Sequence, residues 1–164
     1  MSDLLETNSE ASFSLDHLKE STITLFSQAE KIIQIYSQGL DPRILNNRDI
    51  ERQLILFIKK SRYCKVQILI NSECLLKGID HRIVSLAQRF TSQIEIKLIM
   101  KDYHDNYFGF YITDHRSMLY RKNIERYEAE KLQMPSLKIK EQSKLFNSIW
   151  QSANPASFLR ALHI

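Results

Sequence analysis

The sequence predicts an α/β fold with a mostly parallel sheet, and two observations support this prediction. Short runs rich in β-branched residues alternate with segments whose apolar residues recur at three- and four-residue steps, so strands and amphipathic helices follow one another. The connections between them are short, which is typical of right-handed crossovers between parallel strands. A chain of 164 residues, 43% of them hydrophobic, can bury one core, so we expect a single domain.

The first part of the chain contains three strands separated by helices. Residues 1–12 are polar, so we expect a mobile tail there and a folded domain over residues 13–164. The expected elements, in order, are a helix with an apolar stripe from Leu15 to Ala29, strand 31–37, a helix capped by Asn47 with Ile50, Leu54, Phe57 and Ile58 facing inward, strand 65–70, a helix through His81 to about Phe90, and strand 94–100.

The pattern changes after Met100. YFGFYITD and SMLYRK are separated by the turn residues Asp114, His115 and Arg116, which predicts a β-hairpin that extends the sheet. No period is clear between Glu125 and Ile139, and Pro135 disfavours a helix across that segment. A final helix is expected from the apolar positions Leu145, Phe146, Ile149 and Trp150.

Composition limits the classes of function. The net charge of +4 is a mild basic bias, compatible with phosphate-bearing partners and equally with an ordinary protein surface. The acidic, polar N-terminus is not typical of a secretory leader. The two cysteines, Cys64 and Cys74, are compatible with a reducing compartment, so we expect a cytoplasmic protein. No run of about 20 apolar residues predicts a membrane span. No phosphate-cradling glycine loop or metal-ligand spacing is present, so we predict no cofactor and no metal site.

Three segments carry a resemblance to a known family: YSQGLDPR (36–43), GIDHRIVSLAQRFTSQIEIK (78–97) and ITDHRSMLYRKNIERYE (112–128). Over roughly residues 20–164 the chain resembles one half of a phospholipase D-type domain. More narrowly, it resembles an uncharacterised bacterial family of single phospholipase D-like domains that lack the catalytic signature. The resemblance implies a mixed, mostly parallel sheet with flanking helices. Because active members pair two such halves, it also implies a homodimer.

The resemblance locates the catalytic motif of the superfamily, H-x-K-x-x-x-x-D. Counting back from Asp114, the histidine position is Tyr107 and the lysine position is Gly109. The nucleophile and the cation that would neutralise phosphate charge are thus replaced. The resulting prediction is a catalytically degenerate domain that acts as a binding or interaction module. The alternative is a phosphodiesterase or nuclease with a rearranged site that uses Tyr107 and Asp114.

Basic and aromatic residues close to the hairpin are the candidate ligand contacts, because guanidinium groups suit phosphate or carboxylate. The candidate binding residues for an anionic small molecule are Arg121, Arg126, Tyr127, Glu128, Tyr120, Arg82, Tyr36 and Arg43. A second interpretation is a buried ion-pair network in which Asp41, Asp114 or Glu128 holds the arginines. Near Arg82, Asp80 is expected to cap the helix without a ligand. Nucleic acid could stack on the aromatic run from Tyr103 to Tyr111, but this partner is not favoured.

Overall fold

In the computed structural model, residues 10–12, 14–71 and 80–156 are described. They form four α-helices and eight strands that belong to one sheet. The helices are α1 (Leu15–Ser27), α2 (Arg48–Ile58), α3 (Arg82–Arg89) and α4 (Leu137–Ser152). The strands are β1 (Glu10–Ser12), β2 (Ile32–Tyr36), β3 (Lys65–Ile70), β4 (Ile94–Leu98), β5 (Gly109–Thr113), β6 (Ser117–Arg121), β7 (Ala129–Gln133) and β8 (Asn154–Pro155). A short 3-10 helix spans Lys101–Tyr103. Cys74 and Gly78 lie outside the described residues.

The sheet is mixed, with strand order β1-β7-β6-β5-β2-β3-β4-β8. Only the β2–β3 and β3–β4 pairs are parallel, and the other five neighbouring pairs are antiparallel. The prediction of a mostly parallel sheet is therefore wrong, although the two crossovers that suggested it are present. The hairpin pairs with β2 in the antiparallel sense, and each later strand adds another antiparallel neighbour.

Helices cover both faces of the sheet. Alternating side chains of β2 point to opposite sides, as the pleat requires: Ile33 and Ile35 join the core beneath α1, α2 and α3, whereas Tyr36 joins the core beneath α4. Phe146 and Ile149 of α4 are fully buried in that second core. The final helix predicted from these apolar positions is confirmed, with Ser136 as its N-cap.

Local signals explain most boundaries. The side chain of Asn47 accepts hydrogen bonds from the Asp49 and Ile50 amides, so the predicted cap of α2 is confirmed. The hairpin turn is also confirmed, and Asp114 and His115 both adopt positive φ angles, of 54° and 57°, as tight hairpin turns require.

Two sequence predictions need correction. Residues 10–12, assigned to a mobile tail, form β1 and pair with Ala129–Lys131 of β7; residues 1–9 lie outside the description. The segment AEKLQ forms β7, which was not predicted because it has no β-branched or aromatic residue. Its strand conformation comes from backbone pairing with β6 and β1, which the local sequence does not encode.

Candidate ligand-binding site

Three loops meet where β2 ends and β5 begins. They are the residues that follow β2, the segment that leads into β5, and the segment 122–128 that follows the hairpin. The Gln38 side-chain amide donates to the Asn106 carbonyl, which joins the first loop to the second. The Ile124 amide donates to the Tyr107 carbonyl at 2.9 Å, which joins the second to the third. One side-chain and one backbone hydrogen bond therefore hold these segments together where β2 ends.

Gly109, which the resemblance aligns with the lysine of the motif, has little room for a side chain. Gly109 lies opposite Arg121 in the β5–β6 ladder. A Cβ atom at Gly109 would lie 3.1 Å from Ile124 Cγ2 and 3.1 Å from the Tyr36 carbonyl oxygen, closer than ordinary van der Waals contact between carbon atoms. A side chain at position 109 would therefore require Ile124 or the Tyr36 backbone to move by a few tenths of an ångström.

Arg121 is an internal anchor of the site. Its side chain is only 5% exposed, and its guanidinium donates to the Ile124 carbonyl at 2.6 Å and to the Arg126 carbonyl at 2.7 Å. It also pairs with the Asp41 carboxylate at 3.3 Å. Burial raises the pKa of the neighbouring Tyr111, and the positive charge of Arg121 opposes part of that effect. These bonds fix the segment after the hairpin against the loop after β2.

Arg126, Glu128 and Tyr127 lie on that anchored segment. Arg126 is 69% exposed, and its one side-chain contact with a described residue is a long one, 3.9 Å, to Glu128. Tyr127 packs against the core, and Arg43 lies over its ring, with Cζ 5.7 Å from the centroid, and donates to its hydroxyl. The structure thus brings Arg43 to Tyr127, while the Arg126 guanidinium remains open to solvent.

The other predicted contacts lie elsewhere. Tyr36 is fully buried on the α4 side of the sheet, where it stacks on Phe108 and Phe110; its hydroxyl accepts from Asn106, and burial raises its pKa. Tyr120 alternates with Arg121 along β6 and so also points to the α4 side, where the Lys138 Nζ lies 4.1 Å from its ring centroid. Burial raises the pKa of Tyr120 as well. These two tyrosines are separated from Arg121 by the sheet.

Arg82 begins α3 and pairs with Glu51 at 3.3 Å. The N-cap of α3 is His81, whose Nδ1 accepts from the Ile83 amide at 3.1 Å, so the prediction of Asp80 as the cap is wrong. The His81 Nε2 contacts the Leu40 carbonyl at 2.8 Å and therefore carries the proton. The imidazole thus caps α3 and bonds the loop after β2 at the same time.

Asp114 lies at the other edge of the sheet from Tyr107. Its carboxylate accepts from the amides of Glu30, Lys31 and Ile32, at 2.9, 2.7 and 3.0 Å. Six residues, including all of β5, separate Tyr107 from Asp114, and in extended conformation they place the two roughly 20 Å apart. The structure does not bring this candidate catalytic pair together. Asp114 instead satisfies amides at the start of β2.

Two cavities open near the anchored segment. The larger, about 560 Å³, is here called the Tyr107 groove and is lined by Tyr107, Lys122, Asn123, Glu125, Arg126 and Glu128. The smaller, about 310 Å³, is lined mainly by the loop after β2 together with Arg121 and Ile124. Lys122, Asn123 and Glu125 were not predicted, although Lys122 directly follows Arg121 in the hairpin motif. As a binding set, the eight residues named from the sequence stay a prediction.

Within the part of the chain that is described, no three histidine, cysteine, aspartate or glutamate side chains cluster closely enough to hold a metal ion. None of the described helices is long and apolar enough to cross a membrane.

The architecture is that of the phospholipase D-like proteins, and solved structures with this fold align over most of the chain. TrmBL2, an archaeal chromatin protein, aligns with a TM-score of 0.64 and 18% identity over 95% of this chain, which spans 58% of the TrmBL2 chain. NucT from Helicobacter pylori aligns with a TM-score of 0.59 and 18% identity, over 90% of this chain and 99% of that one. Phosphatidylserine synthase of Haemophilus influenzae Rd KW20 aligns with a TM-score of 0.59 and 14% identity, over 95% of this chain and 41% of that one. These similarities define the fold.

Residues 14–162 match the family described as Domain of unknown function (DUF7931), and the chain belongs to that family. No curated protein sequence matches it.

Proposed function

We propose that this protein is a catalytically inactive phospholipase D-like domain that binds a phosphate-bearing ligand in the Tyr107 groove. The observation that carries the proposal is the close approach of Ile124 and the Tyr36 backbone to Gly109, which leaves little room for a lysine side chain at that position. A cation at that position would neutralise charge on the phosphoryl oxygens during phosphodiester chemistry. The domain therefore keeps the fold and an open groove without the group that the reaction needs.

Two exposed cations support a phosphate-bearing ligand. Lys122 is exposed and has no hydrogen-bond or ion-pair partner among the described residues, and Arg126 is held only by the long contact with Glu128. Arg121, which is bonded internally, positions the segment that carries both. The structurally similar TrmBL2 is described as a DNA-binding chromatin protein, which is consistent with an anionic polymer as ligand. A homodimer and a bacterial cytoplasmic location remain predictions.

A thermal-shift experiment tests the proposal, since a ligand that binds only the folded state raises its apparent stability. The probes are inorganic phosphate, mononucleotides, phosphorylated sugars and short oligonucleotides. With at least one of these probes we expect a concentration-dependent rise in Tm that is reduced in Lys122→Gln and Arg126→Gln. Lys140→Gln, which removes an exposed lysine of α4 outside the groove, is the matched control. No shift with any of these anions would overturn the proposal.

A rearranged phosphodiesterase is the second candidate, because Tyr107 is 68% exposed and shares its groove with Lys122 and Arg126. Tyrosine can attack phosphorus if nearby cations lower its pKa. Asp114 cannot assist, since it is bonded to backbone amides at the opposite edge of the sheet. Hydrolysis of bis(p-nitrophenyl) phosphate that is lost in Tyr107→Phe would establish this activity. Absence of hydrolysis at high protein concentration would remove it.

A further inference from the structure

Two of the described aromatic side chains are exposed, Tyr63 and Tyr107, and they differ in what covers their rings. Tyr63 is exposed to a similar extent, 71%, but Arg62 lies over its ring at 4.9 Å and donates to its hydroxyl at 2.7 Å. Tyr107 has neither a cation nor another ring against it, and its hydroxyl has no partner, within the described part of the chain. Its ring faces are therefore available to a ligand.

The backbone that carries Tyr107 is held in place. The Tyr107 carbonyl accepts from Ile124, and the carbonyl of the preceding Asn106 accepts from Gln38. Phe108, the next residue, stacks on Tyr36 with ring centroids 5.5 Å apart. A side chain on a fixed backbone loses less conformational entropy when a ligand packs on it. Tyr107 is thus an exposed ring on a pre-organised support.

The positive and negative side chains of the Tyr107 groove are equal in number, which weakens its electrostatic attraction for an anion. Lys122 and Arg126 supply two positive charges, and Glu125 and Glu128 supply two negative charges. Charge attraction alone therefore gives little affinity for free phosphate, and most of the affinity has to come from the aromatic ring. A suitable ligand combines phosphate with a flat aromatic group. Nucleotide units have both, and phosphorylated sugars and lipid headgroups lack the aromatic part.

We propose that the Tyr107 groove binds single-stranded nucleic acid, with one base stacked on the Tyr107 ring and adjacent phosphates next to Lys122 and Arg126. This inference rests on the proposed function and specifies its ligand. Only an unpaired base offers a free face to the ring, because the bases of a duplex are stacked on one another. Stacking on an aromatic side chain is tolerant of base identity, so we expect weak sequence preference.

Fluorescence anisotropy with the full chain tests the inference. The probes are a labelled oligothymidylate of about eight nucleotides, within the range of single-strand site sizes, an abasic oligomer of the same length, and the same oligothymidylate annealed to its complement. The variants are Tyr107→Ala, Tyr107→Phe and Tyr63→Ala. Tyr63→Ala is the matched control because it removes an equally exposed tyrosine at the other edge of the sheet. Urea unfolding of each variant checks that the fold is retained.

We expect Tyr107→Ala to weaken binding of the oligothymidylate about 5- to 150-fold, the range of one base–aromatic stack. Tyr107→Phe keeps the ring and should bind within about threefold of the wild type, since stacking needs no hydroxyl. The abasic oligomer and the duplex should bind more weakly than the single strand, and Tyr63→Ala should have no effect. With two phosphates neutralised, the slope of log K against log salt should be about −1.4.

Two results would overturn the inference in distinguishable ways. Equal binding of the abasic and base-bearing oligomers, unaffected by Tyr107→Ala but reduced by Arg126→Gln, would leave the proposed phosphate site intact and remove base stacking. No binding of any probe would contradict both this inference and the proposed function. Preferential binding of the duplex would also refute a single-stranded ligand.

Discussion

Replacement of Arg121 by alanine should destabilise the protein strongly, because the guanidinium satisfies several buried groups at once. Arg121→Ala leaves the carbonyls of Ile124 and Arg126 without their donor and removes the partner of Asp41. Each hydrogen bond to a charged group contributes about 1.5–3 kcal/mol. Since the segment lies near the surface, water can replace part of this bonding. We therefore expect a loss of about 3–5 kcal/mol in the free energy of unfolding, as for other broken buried pairs.

Urea unfolding followed by tryptophan fluorescence measures this loss, with Trp150 as the single reporter. Arg126→Ala is the matched control, since this nearby arginine is 69% exposed and should change stability by no more than about 0.5 kcal/mol. Arg121→Lys should be intermediate, because an ammonium keeps the charge but not the planar fork that reaches two carbonyls. A loss below about 1 kcal/mol for Arg121→Ala would refute the structural role. If Arg121→Ala lost little stability and yet abolished the ligand-induced rise in Tm, Arg121 would be a ligand contact and not a structural residue.

Three further predictions concern the loops that meet at the site and the opposite edge of the sheet. Burial lowers the pKa of His81 below its usual value. The contribution of the neutral imidazole to the free energy of unfolding should therefore be fully present above about pH 6.5 and should decrease as the pH falls toward the folded pKa. Urea midpoints across this pH range measure the effect, and His81→Asn should flatten the pH dependence. Gly109→Ala should lower the free energy of unfolding by about 1–3 kcal/mol through overpacking. In a double-mutant cycle, Ile124→Ala should reduce that loss, because it removes one of the two close contacts of the new Cβ atom. Additive effects of the two substitutions would contradict the packing argument. Asp114→Ala should destabilise by about 1–3 kcal/mol by leaving amides without an acceptor, and Asp114→Asn should cost less because its one oxygen still accepts; equal losses of Tm in the two variants would count against this.

Local chemistry made much of the fold predictable. Asn47, with acidic residues in the first helical turn after it, marked the start of α2, and the alternation of β5 and β6 around Asp114 marked the hairpin. Whether neighbouring strands pair in the parallel or the antiparallel sense was harder to predict from the sequence. The parallel crossovers were read correctly, but the later strands join the sheet in the antiparallel sense, and β7 has no local strand signal. Its conformation depends on pairing partners distant in sequence.

The site was predicted in outline, while the roles of its residues were not. The resemblance places Tyr107 and Gly109 at the histidine and lysine positions of the motif, which stays a prediction, and only the structure shows that Ile124 lies close beside Gly109. Arg121 pairs with a residue 80 positions away. Asp114 bonds to amides more than 80 positions away. Long-range contacts of this kind decide whether a charged group is available to a ligand, and no local pattern encodes them.

The most direct test of the central claim measures binding and cleavage on the same labelled single-stranded oligonucleotide. Anisotropy reports the complex, and a denaturing gel of the same sample reports the length of the strand after prolonged incubation. Our account predicts saturable binding and an intact strand, with binding weakened in Arg126→Gln. Cleavage by the wild-type protein that disappears in Tyr107→Phe would contradict it, because that result would make Tyr107 a working nucleophile in an active phosphodiesterase.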